Sequence, residues 1–198
     1  MTIDVYLEDI DETFLEDIDE IIEDTMVDIF IVHAKNSNAL ERIQKSASEF
    51  NTLFYATTVE LKWHADENCV GYIIESINSL SLLEDSDKAI FIDEQYLSEE
   101  MINALNSGSY RGIIVNATST HDELENFYVS IGARNISKFE TKTLENISMD
   151  KIVLQSGYPE FNFNSIFETV KVISNSLFRP EQSIIARATK SSLALFDF

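Results

Sequence analysis

Along the chain, short runs of apolar and β-branched residues alternate with longer stretches whose apolar positions recur every three or four residues. Residues 2–7 put Ile3, Val5 and Leu7 on one face of a short strand. Residues 11–24 carry Phe14, Leu15, Ile18, Ile21 and Ile22 as a helical stripe opposite an acidic face. VDIFIVH (27–33) predicts a second strand, 36–49 a helix, and TLFYATT (52–58) a third strand. A polar loop then leads to a helix over 71–83, AIFID (89–93) reads as the fourth strand, and 98–105 is helical. GIIVNA (112–117) is the fifth strand. Residues 120–130 follow as a helix, capped by Ser119 or Thr120, with Asp122 and Glu123 in its first turn. A weaker strand over 133–139 and a seventh over 151–155 precede two closing helices, 165–177 and 180–195, the latter with Pro180 in its first turn.

Repeated strand–helix units imply parallel strands joined by right-handed crossovers. The chain has no low-complexity linker and no break in composition, so residues 1–198 read as one domain. The pattern alone does not choose between an open doubly wound sheet and a barrel. Seven strands is one short of the usual eight.

Composition adds a sizeable core, with 44% hydrophobic residues including thirteen Phe and seven Tyr. A single cysteine, Cys69, excludes an internal disulfide and a zinc site built on several cysteines, and suits a small buried residue in a reducing compartment. The acidic first segment is unlike a signal peptide, and no run approaches the roughly 18 apolar residues of a membrane span, so a soluble cytoplasmic protein is expected. Net charge is −21, and residues 1–28 hold twelve of the 35 acids without a Lys or Arg. The absence of a basic stripe argues against nucleic acid as a ligand. The acidic run is either a solvated face or a docking surface for a basic partner, with Asp17, Glu20 and Asp24 on the face away from Phe14, Ile18 and Ile21.

Motifs with chemistry are few. There is no Gly-x-Ser-x-Gly, and the five glycines are too scattered for a phosphate loop. His33, His64 and His121 lack paired spacing, which points to surface or capping roles. Trp63 in LKWHADEN is expected to pack over one end of the fold, or else to anchor a partner as an exposed aromatic. Phe161, Phe163 and Phe167 suit capping of the core or an interface patch.

Three segments nevertheless carry a likeness. IDVYLEDIDETFLEDIDE, with the strands that follow it, resembles the opening of the TatD family of metal-dependent hydrolases and DNases. GIIVNATSTHDELENFYVSIGARNISKF resembles that family's His-Cys-Phe-Ser-Gly strand and its sequel. ISMDKIVLQSGYPEF, with the closing ATKSSLALF, resembles its ending. Asp4, Phe14, Asp150, Pro159 and Leu195-Phe196 are shared. The resemblance implies a TIM-like (β/α) barrel, here shortened to about seven parallel strands and so distorted or open. The gap falls between Leu97 and Arg111, where the family's fifth strand has no counterpart, and residues 2–7 lie next to 151–155.

The same likeness implies a site stripped of its metal ligands. The two first-strand histidines fall on Tyr6 and Glu8, the fourth-strand Glu near Asp93, the histidine of the His-Cys-Phe strand on Asn116, the last-strand Glu on Gln155, and its Asp on Gly157. Tyr, Asn, Gln and Gly cannot rebuild a pair of divalent cations, which needs converging carboxylates and imidazoles. The expectation is therefore a catalytically inactive TatD-like protein without a cofactor. It would act as a binding, scaffold or regulatory protein toward an unidentified protein partner, with dimerisation as one way to cover an open barrel edge. The alternative is a remodelled hydrolase holding one metal through Glu8, Asp93 and a histidine from a loop.

Overall fold

A computed structural model describes residues 1–8, 14, 20–21, 24–83, 86–119, 126–196 and 198. Among them are eight strands: β1 (Ile3–Leu7), β2 (Ile29–Ala34), β3 (Leu53–Thr58), β4 (Cys69–Ile74), β5 (Ala89–Asp93), β6 (Ile113–Asn116), β7 (Phe127–Gly132) and β8 (Ile152–Gln155). Each pairs in parallel with the next, in the order β1 to β8. The sheet curls into a nearly closed barrel whose one unsealed seam lies between β1 and β8. There no backbone ladder forms among the described residues, but the Ser156 amide donates to the Asp4 carboxylate at 3.2 Å. The expected proximity of the first and last strands therefore holds.

The strand count and the place of the opening are corrected. CVGYII, read as the start of a helix over 71–83, is β4, and the helix shrinks to α2 (Ile77–Ser81), capped by Ser76. Gly71 explains this strand. A side chain there would meet the Phe91 ring at 2.5 Å, so β4 gives up a side chain to let β5 fill the barrel. FYVSIG, assigned to a helix over 120–130, is β7, and residues 133–139 form a turn and the 3₁₀ segment Ile136–Lys138 instead of a strand. In β7, Val129 and Ile131 face the outer core while Tyr128 faces the interior, a period of two rather than 3.6. Strand β5 pairs directly with β6, from Ile90↔Ile113 to Asp93↔Asn116, so no strand is missing between Leu97 and Arg111. The other helices are α1 (Ser37–Ala47), α3 (Glu99–Ser107), α4 (Thr141–Asn146), α5 (Ser165–Leu177) and α6 (Glu181–Leu195).

Two cores result. The barrel interior holds Val5, Ile31, Ala56, Ile73, Ala89, Phe91, Ile114 and Val153. Leu195 and Phe196, at the end of α6, plug it where the strands begin, with Phe196 stacked parallel to Phe91 at 6.1 Å. The second core lies between strands and helices and takes Leu40 and Ile43 from α1 and Ile166, Val170 and Ile173 from α5. Phe163 joins it, stacked on Tyr158 at 4.7 Å and edge-on to Phe30 at 5.3 Å, so it caps the core as expected, whereas Phe161 and Phe167 are only half-buried. Cys69 is buried, and burial pushes its thiol up to about 11, which makes it unreactive. The plug leaves the opposite mouth, at the C-terminal ends of the strands, to polar residues.

Candidate functional site

Strand alternation sends every second side chain of β2, β5, β6 and β8 into the barrel. An irregularity in β1 between Asp4 and Leu7 turns Tyr6 inward directly after Val5. The last inward positions of these five strands therefore converge at that mouth. They are Tyr6, His33, Asp93, Asn116 and Gln155. The Tyr6 hydroxyl donates to Asp93 Oδ1 at 2.9 Å, and Asn116 Nδ2 donates to the same oxygen at 2.8 Å. Asn116 Oδ1 in turn accepts from Gln155 Nε2 at 2.9 Å and from Asn135 Nδ2 at 3.2 Å. Burial, reinforced by the nearby Asp93 and Glu8 charges, pushes the Tyr6 phenol far above its usual range, so it stays a donor. One carboxylate oxygen is thus held by two neutral donors, with two amides lined up behind it.

Glu8 sits above this network in an ion-pair cap. Lys35 Nζ lies 2.8 Å from its Oε1 and Arg134 Nη1 2.9 Å from its Oε2, so each oxygen has its own cation. Burial alone would raise the Glu8 carboxyl, but Lys35 and Arg134 outweigh it and hold it below its ordinary value. Arg134 also reaches Glu160, at 3.3 Å, and the Tyr158 carbonyl.

Gly157 explains why the end of β8 carries no carboxylate. Its φ of +85° is left-handed, a conformation that favours glycine. A Cβ there would also meet the Arg134 side chain at 3.0 Å. The place the resemblance gives to an aspartate is taken up by the stem of an arginine.

Of the other sequence-derived candidates, Trp63 is 84% exposed on the 3₁₀ segment Val59–His64, with the Lys62 ammonium 4.9 Å from its ring. It does not pack over the barrel, because its side chain stands largely in solvent. Glu20 and Asp24 are exposed and remote from the network, and Asp17 falls outside the described residues. The helix over 11–24 falls mostly outside them as well, as does His121.

Four contributors were not anticipated. His33, expected at the surface, is 3% exposed, its ring packed on Tyr6 at 4.1 Å and edge-on to Phe91 at 4.8 Å. Burial lowers its pKa to about 3, so it is a neutral core residue. The alternation Ile29, Ile31, His33 was the available signal. Lys35 and Arg134 form the cap, and Asn135 ties β6 to the turn after β7 by donating to the Ser130 and Ala117 carbonyls at 2.8 and 2.9 Å.

The extra strand also moves Asp93 from the fourth strand to the end of the fifth, where the resemblance places a histidine rather than the Glu. The residues present do not fit a divalent pair. Among the described residues, no three of His, Cys, Asp and Glu converge. The hydroxyl and amide that meet Asp93 offer hydrogens, not lone pairs, where a cation would need ligands.

No protein-family model matches the chain, and no curated protein matches it. Solved structures do. YjjV, a TatD homologue from Escherichia coli K12, superposes with a TM-score of 0.76 over 100% of this chain and 98% of its own, at 12% identity. A TatD-family hydrolase from Entamoeba histolytica gives 0.68 over 99% and 98%, at 8% identity. An uncharacterized amidohydrolase from Saccharomyces cerevisiae gives 0.65 over 98% and 99%, at 10% identity. The chain is therefore structurally similar to TatD proteins over its full length, and at these identities the likeness is one of fold.

Proposed function

We propose that this barrel is a catalytically inactive relative of the TatD hydrolases that works as a binding, scaffold or regulatory protein. The observation that supports the reading best is the engagement of one Asp93 carboxylate oxygen by two donors. Tyr6 and Asn116 both donate to its Oδ1, and Asn116 is itself fixed by Gln155 and Asn135. Metal-assisted hydrolysis needs a cation with an open position and a water brought to a low pKa. Here Asp93 Oδ1 and Asn116 are held by neighbouring side chains, while Gln155 Oε1 and both His33 ring nitrogens stay unpartnered among the described residues. Glu8 is paired with two cations that also reach Glu75 and Glu160. The remodelled single-metal hydrolase would need Glu8, Asp93 and a loop histidine to converge, and among the described residues no three such ligands do. His33, on β2, is packed against two aromatic rings.

Binding then falls to the outside of the barrel. The exposed acids Glu20 and Asp24 suit a basic partner, and the exposed Trp63 offers an aromatic anchor. No helix among the described residues is long and apolar enough to cross a membrane, and a cytoplasmic role without nucleic acid is part of the proposal. The test is a DNA degradation assay with Mg²⁺, Mn²⁺ or Zn²⁺. The expected result is no cleavage above the metal-only control. Cleavage that disappears in Glu8→Gln would overturn the reading.

A further inference from the structure

Where β8 begins, at the end of the barrel away from the polar network, α4, the 3₁₀ segment Met149–Lys151 and the corner between α5 and α6 enclose a groove of about 430 Å³. The buried Leu144, Ile147 and Met149, with the half-buried Leu177 beside them, form its apolar part, while polar groups make up most of its exposed lining. Phe178 stands on its rim and is 94% exposed.

The corner that presents Phe178 is held rather than loose. Phe178 ends α5 in the left-handed conformation, with φ 51° and ψ 44°. The Arg179 amide donates to the Ser174 carbonyl at 3.2 Å, and the Ser174 hydroxyl donates to the Arg179 carbonyl at 2.6 Å. Glycine is the residue that ordinarily closes a helix this way, because a Cβ is penalised there. A fully exposed aromatic at such a position is unfavourable for the isolated chain twice over, in backbone and in solvation. Backbone outliers of this kind point toward function when the surroundings fix them. A rigidly held exposed aromatic is also the usual centre of an interface.

Charge says what fits. In a chain of net charge −21, two of the five arginines, Arg179 and Arg187, line this one groove. Arg179 is exposed and has no carboxylate partner among the described residues, while Arg187 pairs with Asp150 at 3.0 Å on the open surface. Glu145 is the only carboxylate among the lining residues.

We propose that this groove docks an acidic segment of a protein partner. An apolar side chain of the partner seats between Phe178 and the Leu144–Ile147–Met149 floor, and carboxylates flanking it pair with Arg179 and Arg187. The proposal extends the reading of this chain as a binding protein and rests on it. Nuclease activity at the barrel mouth would defeat that reading without touching the peptide result, so the two fail separately.

The experiment is fluorescence anisotropy with a labelled synthetic peptide of sequence Glu-Asp-Phe-Glu-Glu-Leu-Asp-Asp, against a control with Gln and Asn in place of the acids. The unsubstituted chain is expected to bind the acidic peptide saturably, on the order of tens of micromolar. The control should bind more weakly. Phe178→Gly should weaken acidic-peptide binding about tenfold, while relief of the left-handed backbone raises Tm by about 2–4 °C, which shows the fold is intact. Arg179→Glu should weaken binding by a similar factor. Absence of saturable binding up to about 1 mM, or unchanged affinity in Phe178→Gly, would overturn the proposal. So would self-association of the chain that Phe178→Gly abolishes, because the groove would then belong to a second copy.

Discussion

Replacing Asn135 by Ala is expected to cost about 3 kcal/mol of folding stability, more than any surface substitution in this chain. The side chain is buried, and both its oxygen and its nitrogen are bonded. Oδ1 accepts from the Gly132 amide at 2.9 Å, and Nδ2 is shared among the carbonyls of Ser130 and Ala117 and the Asn116 side chain. Alanine would leave one amide and two carbonyls without partners in a place water does not reach, and each such orphan costs about 1–3 kcal/mol. It would also release one of the two bonds that orient Asn116 toward Asp93. Urea unfolding checks this, with Trp63→Ala as a surface reference expected to change stability by less than about 0.5 kcal/mol. A loss below about 1 kcal/mol in Asn135→Ala would mean the turn after β7 is not held as described.

The second large effect depends on pH and resides in Asp4. This carboxylate is 0% exposed beside the seam between β1 and β8. Its Oδ1 accepts from the Ser156 amide at 3.2 Å and, weakly, from the Tyr6 amide at 3.4 Å. Among the described residues, Oδ2 has no hydrogen-bond partner. Burial raises its pKa from 3.8 to about 6, against the opposing pull of Ser156, Tyr6 and Arg134. The folded chain therefore holds this proton more tightly than the unfolded chain. The resulting stabilisation is complete below about pH 4 and is lost as pH rises through about 6, a change of about 3 kcal/mol by pH 7. Asp4→Asn is neutral throughout, so its stability relative to the unsubstituted chain should improve by about that amount between pH 4 and pH 7. Any constant penalty from the amide cancels in the comparison. A difference that stays within about 0.5 kcal/mol across this range would contradict a buried, proton-hungry Asp4.

The strands that sequence pattern revealed are those with unbroken alternation or a plain apolar run, such as IFIVHA in β2 and AIFID in β5. β4 escaped because Gly71 interrupts its pattern, and the reason for that glycine is the Phe91 ring of the next strand, a contact with no local trace. β7 escaped because acids before it imitate the first turn of a helix. Missing β4 displaced the numbering and moved Asp93 by one strand. The inward residues Tyr6, Asp93, Asn116 and Gln155 were nevertheless identified together, through the family resemblance. Alternation alone would have turned Tyr6 outward, because the register shift in β1 has no mark in its pattern. Arg134 and Asn135 could not be, because they lie in a turn and act through tertiary placement, with Arg134 lying 126 residues from its partner Glu8. The same distance hides why Gly157 is a glycine: its neighbour is the Arg134 stem.

The proposal rests on that arrangement, in which hydrogen bonds and ion pairs engage the polar side chains at the barrel mouth. Calorimetric titration of the purified chain with Mn²⁺, Zn²⁺ and Mg²⁺ tests it most directly, because two-metal hydrolysis requires both cations to be held before any chemistry occurs. The predicted result is no heat attributable to stoichiometric binding tighter than about 1 mM. Two cations bound per chain in the submillimolar range, with at least one lost in Glu8→Gln or Asp93→Asn, would contradict it.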